Sequence, residues 1–152
     1  MTIDATGRVI LVADDDPDDR MFAREALTAV ASGLDIREVA DGIALLEYLR
    51  DPGPERPFPD LVLLDLKMPR MNGFEALAEV RADPTLRHLP VVAVYTTATD
   101  PEFVRRTYAL GANAFLGKPT THEGMVTAMR VVVEHWFTVA SLPPRGLGPE
   151  GP

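Results

Sequence analysis

The sequence predicts an α/β fold with one parallel sheet of five strands that five helices cover on both faces. Three observations predict it. Short apolar segments alternate with longer segments whose apolar residues recur at helical spacing, and such alternation requires parallel strands joined by right-handed crossovers. The segments 8–13, 61–64 and 91–95 are almost unbroken apolar runs, as in strands buried on both faces. A chain of 152 residues that is 46% hydrophobic is long enough to form one domain with a core.

The elements follow in chain order from local patterns. The first helix begins at Pro17, because Asp16 can cap it and Asp18 and Asp19 favour the positive end of a helix dipole. Its apolar stripe, predicted to face the sheet, is Phe22, Ala23, Ala26, Leu27 and Val30. The predicted strands are 8–13, 34–39, 61–64, 91–95 and 114–116. The predicted helices begin at residue 17, after the turn at 41–42, after the loop at 67–73, and at residues 101 and 122, and they end near residues 32, 50, 83, 110 and 140. We expect a frayed lead-in at 1–7, the domain at 8–140, and a Pro/Gly-rich tail at 141–152.

Composition excludes several classes of protein. The net charge of −8, from 23 acidic and 15 basic residues, argues against a nucleic-acid-binding surface and permits a cation or a basic partner. No apolar run approaches the ~18 residues that a membrane-spanning helix needs, and the first residues lack the pattern of a signal peptide. The absence of cysteine excludes disulfides and thiolate metal sites. We therefore expect a cytoplasmic protein without a membrane partner.

Carboxylates follow two of the buried strands. Asp65 comes directly after segment 61–64, and Asp14 and Asp15 come directly after segment 8–13. The carboxyl ends of parallel strands meet at one edge of the sheet, where ligands bind, so these three acids should converge there. Converging acids repel one another unless a hard cation neutralises them, and oxygen ligands suit Mg²⁺ or Mn²⁺. Two solvated loop acids and a turn-forming Asp65 remain the alternative.

Two further strands end in groups that can bind phosphate. Thr96 follows segment 91–95 and Lys118 follows segment 114–116. Phosphoryl transfer needs a carboxylate that can attack phosphorus, together with a cation, a lysine and a hydroxyl that stabilise the phosphoryl oxygens. Taken alone, Lys118 fits a surface lysine and Thr96 a strand-end hydroxyl. Their placement at the same edge favours a phosphoryl-transfer site.

These motifs resemble the receiver domains of two-component response regulators. The matching segments are 10–19, 63–69 with Gly73, the strand end at Thr96, and 116–119, and the likeness covers about residues 8 to 137. It implies a flavodoxin-like, or CheY-like, fold with strand order 2-1-3-4-5. It also implies a phosphoacceptor that takes its phosphoryl group from a sensor histidine kinase and performs only its own phosphorylation and dephosphorylation, so the chain is not otherwise an enzyme.

The resemblance assigns a role to each motif residue. Asp65 would accept the phosphoryl group. Asp15, Asp65 and the backbone carbonyl of Lys67 would bind Mg²⁺, or Mn²⁺ in its place, and Asp14 would act directly or through water. Lys118 and Thr96 would contact the phosphoryl group. Phe115 would occupy the aromatic switch position, where it brings no hydroxyl to a partner. The Lys118–Pro119 bond would be cis.

The last helix carries more apolar surface than one buried face uses. We expect no DNA-binding or catalytic module after residue 140, so the output should pass through protein contact. The candidates for a homodimer surface are Met125, Met129, Val133, Trp136 and Phe137, and a stripe packed entirely on the sheet is the alternative. Segment 134–144 also resembles the end of phytochrome-associated single-domain response regulators, which are commonly dimers. This resemblance makes a phytochrome kinase a plausible partner.

Two other functions compete with phosphate acceptance. One is a receiver-like interaction module that no longer accepts phosphate, although the set of site residues is complete. The other is a Mg²⁺-dependent phosphatase of the haloacid dehalogenase kind, which also forms an aspartyl phosphate. Its usual second aspartate, two positions after the nucleophile, is here Lys67, which disfavours it.

Overall fold

The main sheet contains five parallel strands in the order β4-β2-β5-β6-β7. The computed structural model describes residues 1–95 and 100–144. Its strands are β1 (Ile3–Asp4), β2 (Val9–Ala13), β3 (Ala31–Ser32), β4 (Asp35–Val39), β5 (Leu61–Asp65), β6 (Val91–Tyr95) and β7 (Ala114–Gly117). If the five long strands are numbered along the chain, this order is 2-1-3-4-5. The predicted flavodoxin-like fold is therefore confirmed.

The first helix begins after its predicted cap, Asp16. The helices are α1 (Pro17–Val30), α2 (Gly42–Arg50), α3 (Gly73–Ala82), α4 (Pro101–Ala109) and α5 (His122–Glu134), and a π-helical turn (His135–Val139) extends α5. The Asp16 side chain accepts from the Asp18 amide, and the Asp41 side chain accepts from the Ala44 amide. Asn72 forms a capping box with Glu75. Across residues 1–95 and 100–144, none of the helices has the length and apolar character needed to cross a membrane.

The core lies on both faces of the sheet. On one face, β2 and β5 pack against α1 and α5, with Leu27 and Val133 fully buried. On the other face, the same strands pack against α2 and α3, with Leu45 and Leu77 buried. Every residue of β2 and β5 is buried, as expected for central parallel strands. This packing holds the carboxyl ends of β2 and β5 rigidly side by side.

The amino-terminal residues depart from the prediction. Residues 1–7 are not a frayed lead-in, because β1 pairs in parallel with β3 and Ala5 is buried against the α1 side of the core. The helix α1 ends at Val30, two residues earlier than predicted, because the chain becomes extended at once to form β3. A strand of two residues has no periodicity that could reveal it in the sequence.

Two of the dimer candidates belong to the core. Met129 and Val133 are buried between α5 and the sheet within the single chain, so their assignment to a dimer surface is wrong. Met125, Trp136 and Phe137 are half-buried against the same cluster. The apolar stripe of α5 is broad because most of it packs on the sheet.

Candidate functional site

Three carboxylates meet at the carboxyl edge of the central strands. Asp14 follows β2 and Asp65 ends β5, and these neighbouring strands pair Ala13 with Leu64. Asp14, Asp15 and Asp65 each place one carboxylate oxygen within 4.8 Å of the others. Asp14 and Asp65 are only 6% and 7% exposed, whereas Asp15 is exposed. The predicted convergence is confirmed, and a set of oxygen donors of this kind fits Mg²⁺ or Mn²⁺.

Local hydrogen bonds fix the two buried carboxylates. The Lys67 amide donates to Oδ1 of Asp65 at 3.0 Å, and the Asp16 amide donates to Oδ1 of Asp14 at 3.0 Å. Burial raises the pKa of Asp65 to about 6, and the charge of Asp14 acts in the same direction, against the Lys67 amide and the Lys118 ammonium. The charged form of Asp65 is therefore disfavoured by its surroundings, and a divalent cation bound to the three acids would restore it.

Lys118 supplies the positive charge of the site. Its Nζ donates to Oδ2 of Asp14 at 2.9 Å and to Oδ2 of Asp19 at 2.7 Å, and it lies 3.5 Å from Oδ2 of Asp65. The side chain is 12% exposed. Burial lowers the pKa of Lys118, but the hydrogen bonds to Asp19 and Asp14 and the charge of Asp65 outweigh burial and raise it. The lysine is thus protonated and lies beside the candidate phosphoacceptor, as predicted.

Two residues of α1 take part in the site although the sequence analysis did not assign them to it. Asp19, read as a helix-dipole acid, binds Lys118. Arg20 donates from Nη1 to the backbone carbonyl of Asp14 at 2.7 Å and from Nε to Glu38 at 3.2 Å. The signal was the position of Asp19 in the first turn of α1, three residues after the cap, next to the strand ends. Arg20 gave no comparable signal.

The loop after Asp65 is held by α2 and α3. Arg70 adopts a left-handed backbone with φ 63°, and its Nη2 lies 2.7 Å from Oδ2 of Asp41, the residue that caps α2. Gly73 begins α3 so close to β5 that an added Cβ would lie 2.5 Å from the carbonyl oxygen of Asp65. These contacts fix the loop that contains Lys67. The role of the Lys67 carbonyl as a metal ligand remains a prediction.

The remaining predicted residues have different outcomes. Thr96 lies outside the described residues. Phe115 is half-buried against the core on the α2 side of the sheet, and its amide donates to the Tyr108 hydroxyl at 3.2 Å. Phe115 itself has no hydroxyl, but Tyr108 on α4 places one beside it.

The Lys118–Pro119 bond is trans, so the expected cis bond is wrong. The two isomers of such a bond differ by only ~0.5–1 kcal/mol, so the local packing decides between them.

Sequence comparison identifies the family. Residues 10–130 match the response regulator receiver domain. The chain is 34% identical over 130 residues to the probable methanogenesis regulatory protein FilR2 of Methanothrix harundinacea, covering 85% of this chain and 83% of FilR2. It is 30% identical over 138 residues to the response regulator Rcp1 of Synechocystis, covering 90% of this chain and 93% of Rcp1.

Structure comparison agrees with the sequence match. The phosphorylated cyanobacterial phytochrome response regulator RcpA is similar to this chain, with a TM-score of 0.82 and 31% sequence identity. The response regulator RPA3017, from red light signalling of R. palustris, is similar with a TM-score of 0.83 and 35% sequence identity. The Mn²⁺-bound form of Rcp1 is similar with a TM-score of 0.80 and 29% identity. Each match covers 90% of this chain and 99% of the other. The chain therefore belongs to the response regulator receiver domain family of two-component systems.

Proposed function

We propose that this protein is a response regulator that accepts a phosphoryl group from a sensor histidine kinase on Asp65 and signals by protein contact. The observation that carries the proposal is the meeting of three carboxylates and one ammonium group at the carboxyl edge of the sheet. The likeness to phosphorylated RcpA and to Mn²⁺-bound Rcp1 supports it. The reaction would depend on Mg²⁺, with Mn²⁺ as a substitute.

The chemistry follows from the groups present. One Asp65 oxygen attacks phosphorus and forms an O–P bond, while the P–N bond to the kinase histidine breaks and its electron pair returns to the imidazole. Lys118, whose Nζ lies 3.5 Å from Oδ2 of Asp65, pairs with a phosphoryl oxygen, and the Thr96 hydroxyl binds another. Asp14, Asp15, Asp65 and the Lys67 carbonyl would hold the divalent ion, which neutralises phosphoryl charge when bound. Phe115 would serve as the aromatic switch.

We propose a phytochrome kinase as the phosphoryl donor. RcpA is a phytochrome response regulator, and RPA3017 belongs to red light signalling. The structural similarity to each of them covers 90% of this chain. FilR2, of comparable sequence identity, is a probable methanogenesis regulatory protein, so other histidine kinases are the competing donors. The proposal places the protein in the cytoplasm.

We also propose that the receiver unit spans residues 8–140 together with the strand β1, and that it forms a homodimer. The part of α5 that remains available is the face bearing Val131, which is 62% exposed. Val131 borders a groove of about 560 Å³ whose other lining residues are Leu116, Thr121, Glu123, Gly124, Thr127, Ala128 and Val132. An exposed apolar side chain beside such a groove suits a self-complementary contact.

The central proposal is tested with acetyl phosphate and Mg²⁺, followed by intact mass measurement. We expect a single phosphoryl adduct, lost in Asp65→Asn because the amide cannot attack phosphorus, and lost when a chelator removes the metal. Asp51→Asn, which removes an exposed acid outside the site, is the matched control and should keep the adduct.

Other outcomes support the competing functions. No adduct under any condition would support an interaction module that no longer accepts phosphate. Repeated turnover of a phosphate ester would support the aspartyl-phosphate phosphatase.

A further inference from the structure

We propose that Asp19 is a positioning residue that holds the Lys118 ammonium group over the phosphoacceptor. This inference rests on the proposed function, because it concerns how the same site receives its phosphoryl group. It assigns a role to an acid that the three-carboxylate cluster does not include.

The geometry shows how Asp19 orients the ammonium group. A lysine ammonium has three N–H donors. Oδ2 of Asp19 accepts at 2.7 Å and Oδ2 of Asp14 accepts at 2.9 Å, while Oδ2 of Asp65 lies at 3.5 Å. Two of the three N–H donors are therefore used in hydrogen bonds to Asp14, which follows β2, and to Asp19 on α1. The remaining donor is available toward Asp65, where a phosphoryl oxygen would lie.

Asp19 differs from Asp14 in what else competes for it. Asp14 belongs to the three acids whose oxygens lie within 4.8 Å of one another, so a cation bound there shares Asp14 with Lys118. Asp19 lies outside that group within the described residues, so its carboxylate stays with Lys118 when the metal binds. Charge-assisted hydrogen bonds of this kind are short and directional. Asp19 is therefore the anchor that keeps Lys118 in place through phosphorylation.

Helix capping does not account for Asp19. The cap of α1 is made by Asp16, which accepts from the Asp18 amide, and Asp18 supplies a second acid to the same first turn. Asp18 is exposed, whereas the Asp19 side chain is directed to Lys118 and only 30% exposed. Because Asp18 and Asp19 carry equal charge in one helical turn, Asp18→Asn is a matched control for charge and dipole effects.

The experiment compares phosphorylation by acetyl phosphate in the wild type, Asp19→Asn, Asp19→Glu, Asp18→Asn, Lys118→Met and the double variant Asp19→Asn with Lys118→Met. We expect Asp19→Asn to slow phosphorylation about tenfold, as for loss of one charge-assisted positioning contact. Asp18→Asn should change it less than about twofold, since its charge is solvated. Asp19→Glu should recover part of the rate. In the double variant, Asp19→Asn should add no further loss of rate to that caused by Lys118→Met.

Two readouts separate positioning from general damage. The dissociation constant for Mn²⁺, measured by calorimetry, should change less in Asp19→Asn than in Asp15→Asn, because Asp19 is not a ligand. Nitrogen-detected NMR of the lysine ammonium groups should show the Lys118 signal protected from exchange in the wild type and lost in Asp19→Asn. The NMR readout needs no phosphorylation. A wild type that forms no adduct while the NMR result holds would therefore reject the proposed function and keep the Asp19–Lys118 contact.

The proposal is overturned if Asp19→Asn phosphorylates as fast as the wild type or as Asp18→Asn. It is equally overturned if the substitution at Asp19 slows the Lys118→Met variant further, since Asp19 would then act independently of the lysine. An unprotected Lys118 signal in the wild type would also reject it.

Discussion

At the scale of single residues, Gly73 is the most constrained position beside the site. An added Cβ would lie 2.5 Å from the Asp65 carbonyl oxygen and 2.6 Å from the Leu66 Cα. These are backbone atoms of the last residue of β5 and of the residue that follows it, both buried, so they cannot move without disturbing the sheet. Glycine is required here by close approach of α3 to β5, and its amide also donates to the Leu66 carbonyl at 3.2 Å.

We predict that Gly73→Ala lowers the free energy of unfolding by about 2–3 kcal/mol, because the methyl group must push α3 away from β5. Metal binding should weaken as well, since β5 ends in Asp65. Urea unfolding and Mn²⁺ calorimetry measure the two effects. Gly53→Ala is the control, since a Cβ there meets nothing within 4 Å. Equal stability of the two variants would contradict the proposed role of the close contact.

The site residues that the sequence revealed are those that follow strands. Asp14, Asp15, Asp65 and Lys118 could be placed together because the carboxyl ends of parallel strands share one edge, and this depends on topology alone. Asp19 could not be assigned with the same argument. Its role depends on which way a side chain of α1 points, and at the level of sequence the helix dipole explained the same acidic residue equally well.

At the scale of elements, α1 presents apolar side chains to solvent next to the site. Met21 and Phe22 are each 45% exposed, although Phe22 was predicted to lie on the buried stripe of the helix. The stripe is narrower than predicted, with Ala23, Ala26, Leu27 and Val30 buried. Two neighbouring exposed apolar residues, one and two positions after Arg20, form a surface that a partner could cover.

We predict that this surface contacts the kinase. Replacing Met21 and Phe22 together by alanine should slow phosphoryl transfer from the cognate kinase at least about tenfold, as for loss of an interface anchor. Phosphorylation by acetyl phosphate should be unchanged, because the small donor does not need the helix surface. Radiolabel transfer assays with both donors measure the difference.

The control for the α1 surface is Val139→Ala, which removes another exposed apolar side chain, in the π-helical turn after α5. Equal slowing with both phosphoryl donors would show that the α1 variant damages the site itself and would reject the contact with the kinase.

The sequence revealed the long elements better than the short ones. The five strands of the main sheet and the five helices were predictable because each spans several residues. Such lengths show apolar runs for buried strands, and helical spacing of apolar residues for helices. The pair β1 and β3 was not predictable, since each has two residues and is defined only by its partner. The extension of α5 by a π-helical turn was likewise hidden, because 134–140 continues the apolar pattern of the helix.

At the scale of the whole molecule, the proposed homodimer makes a prediction about oligomeric state. If the face of α5 bearing Val131 forms the homodimer, Val131→Glu should give a monomer, because two added charges would be buried at the symmetry axis. Size-exclusion chromatography with light scattering at tens of micromolar protein measures this. Met21→Glu, which changes another exposed apolar side chain in the same way, should leave the dimer intact. A monomeric wild type would remove the dimer proposal.

The end of the molecule opposite the site is clamped by Arg81 on α3. Its guanidinium group donates to the backbone carbonyls of Gly111, Arg87 and Leu89 and to the Asn113 side chain, over distances of 2.8 to 3.0 Å. Burial lowers the pKa of Arg81, so these bonds compensate for a cation withdrawn from water. These hydrogen bonds connect the segments just before β6 and β7 to the Arg81 side chain. Because both strands are anchored at that end, we expect a displacement at their carboxyl ends to rotate the α4 and β7 side of the molecule about Arg81 and to be largest beside the site.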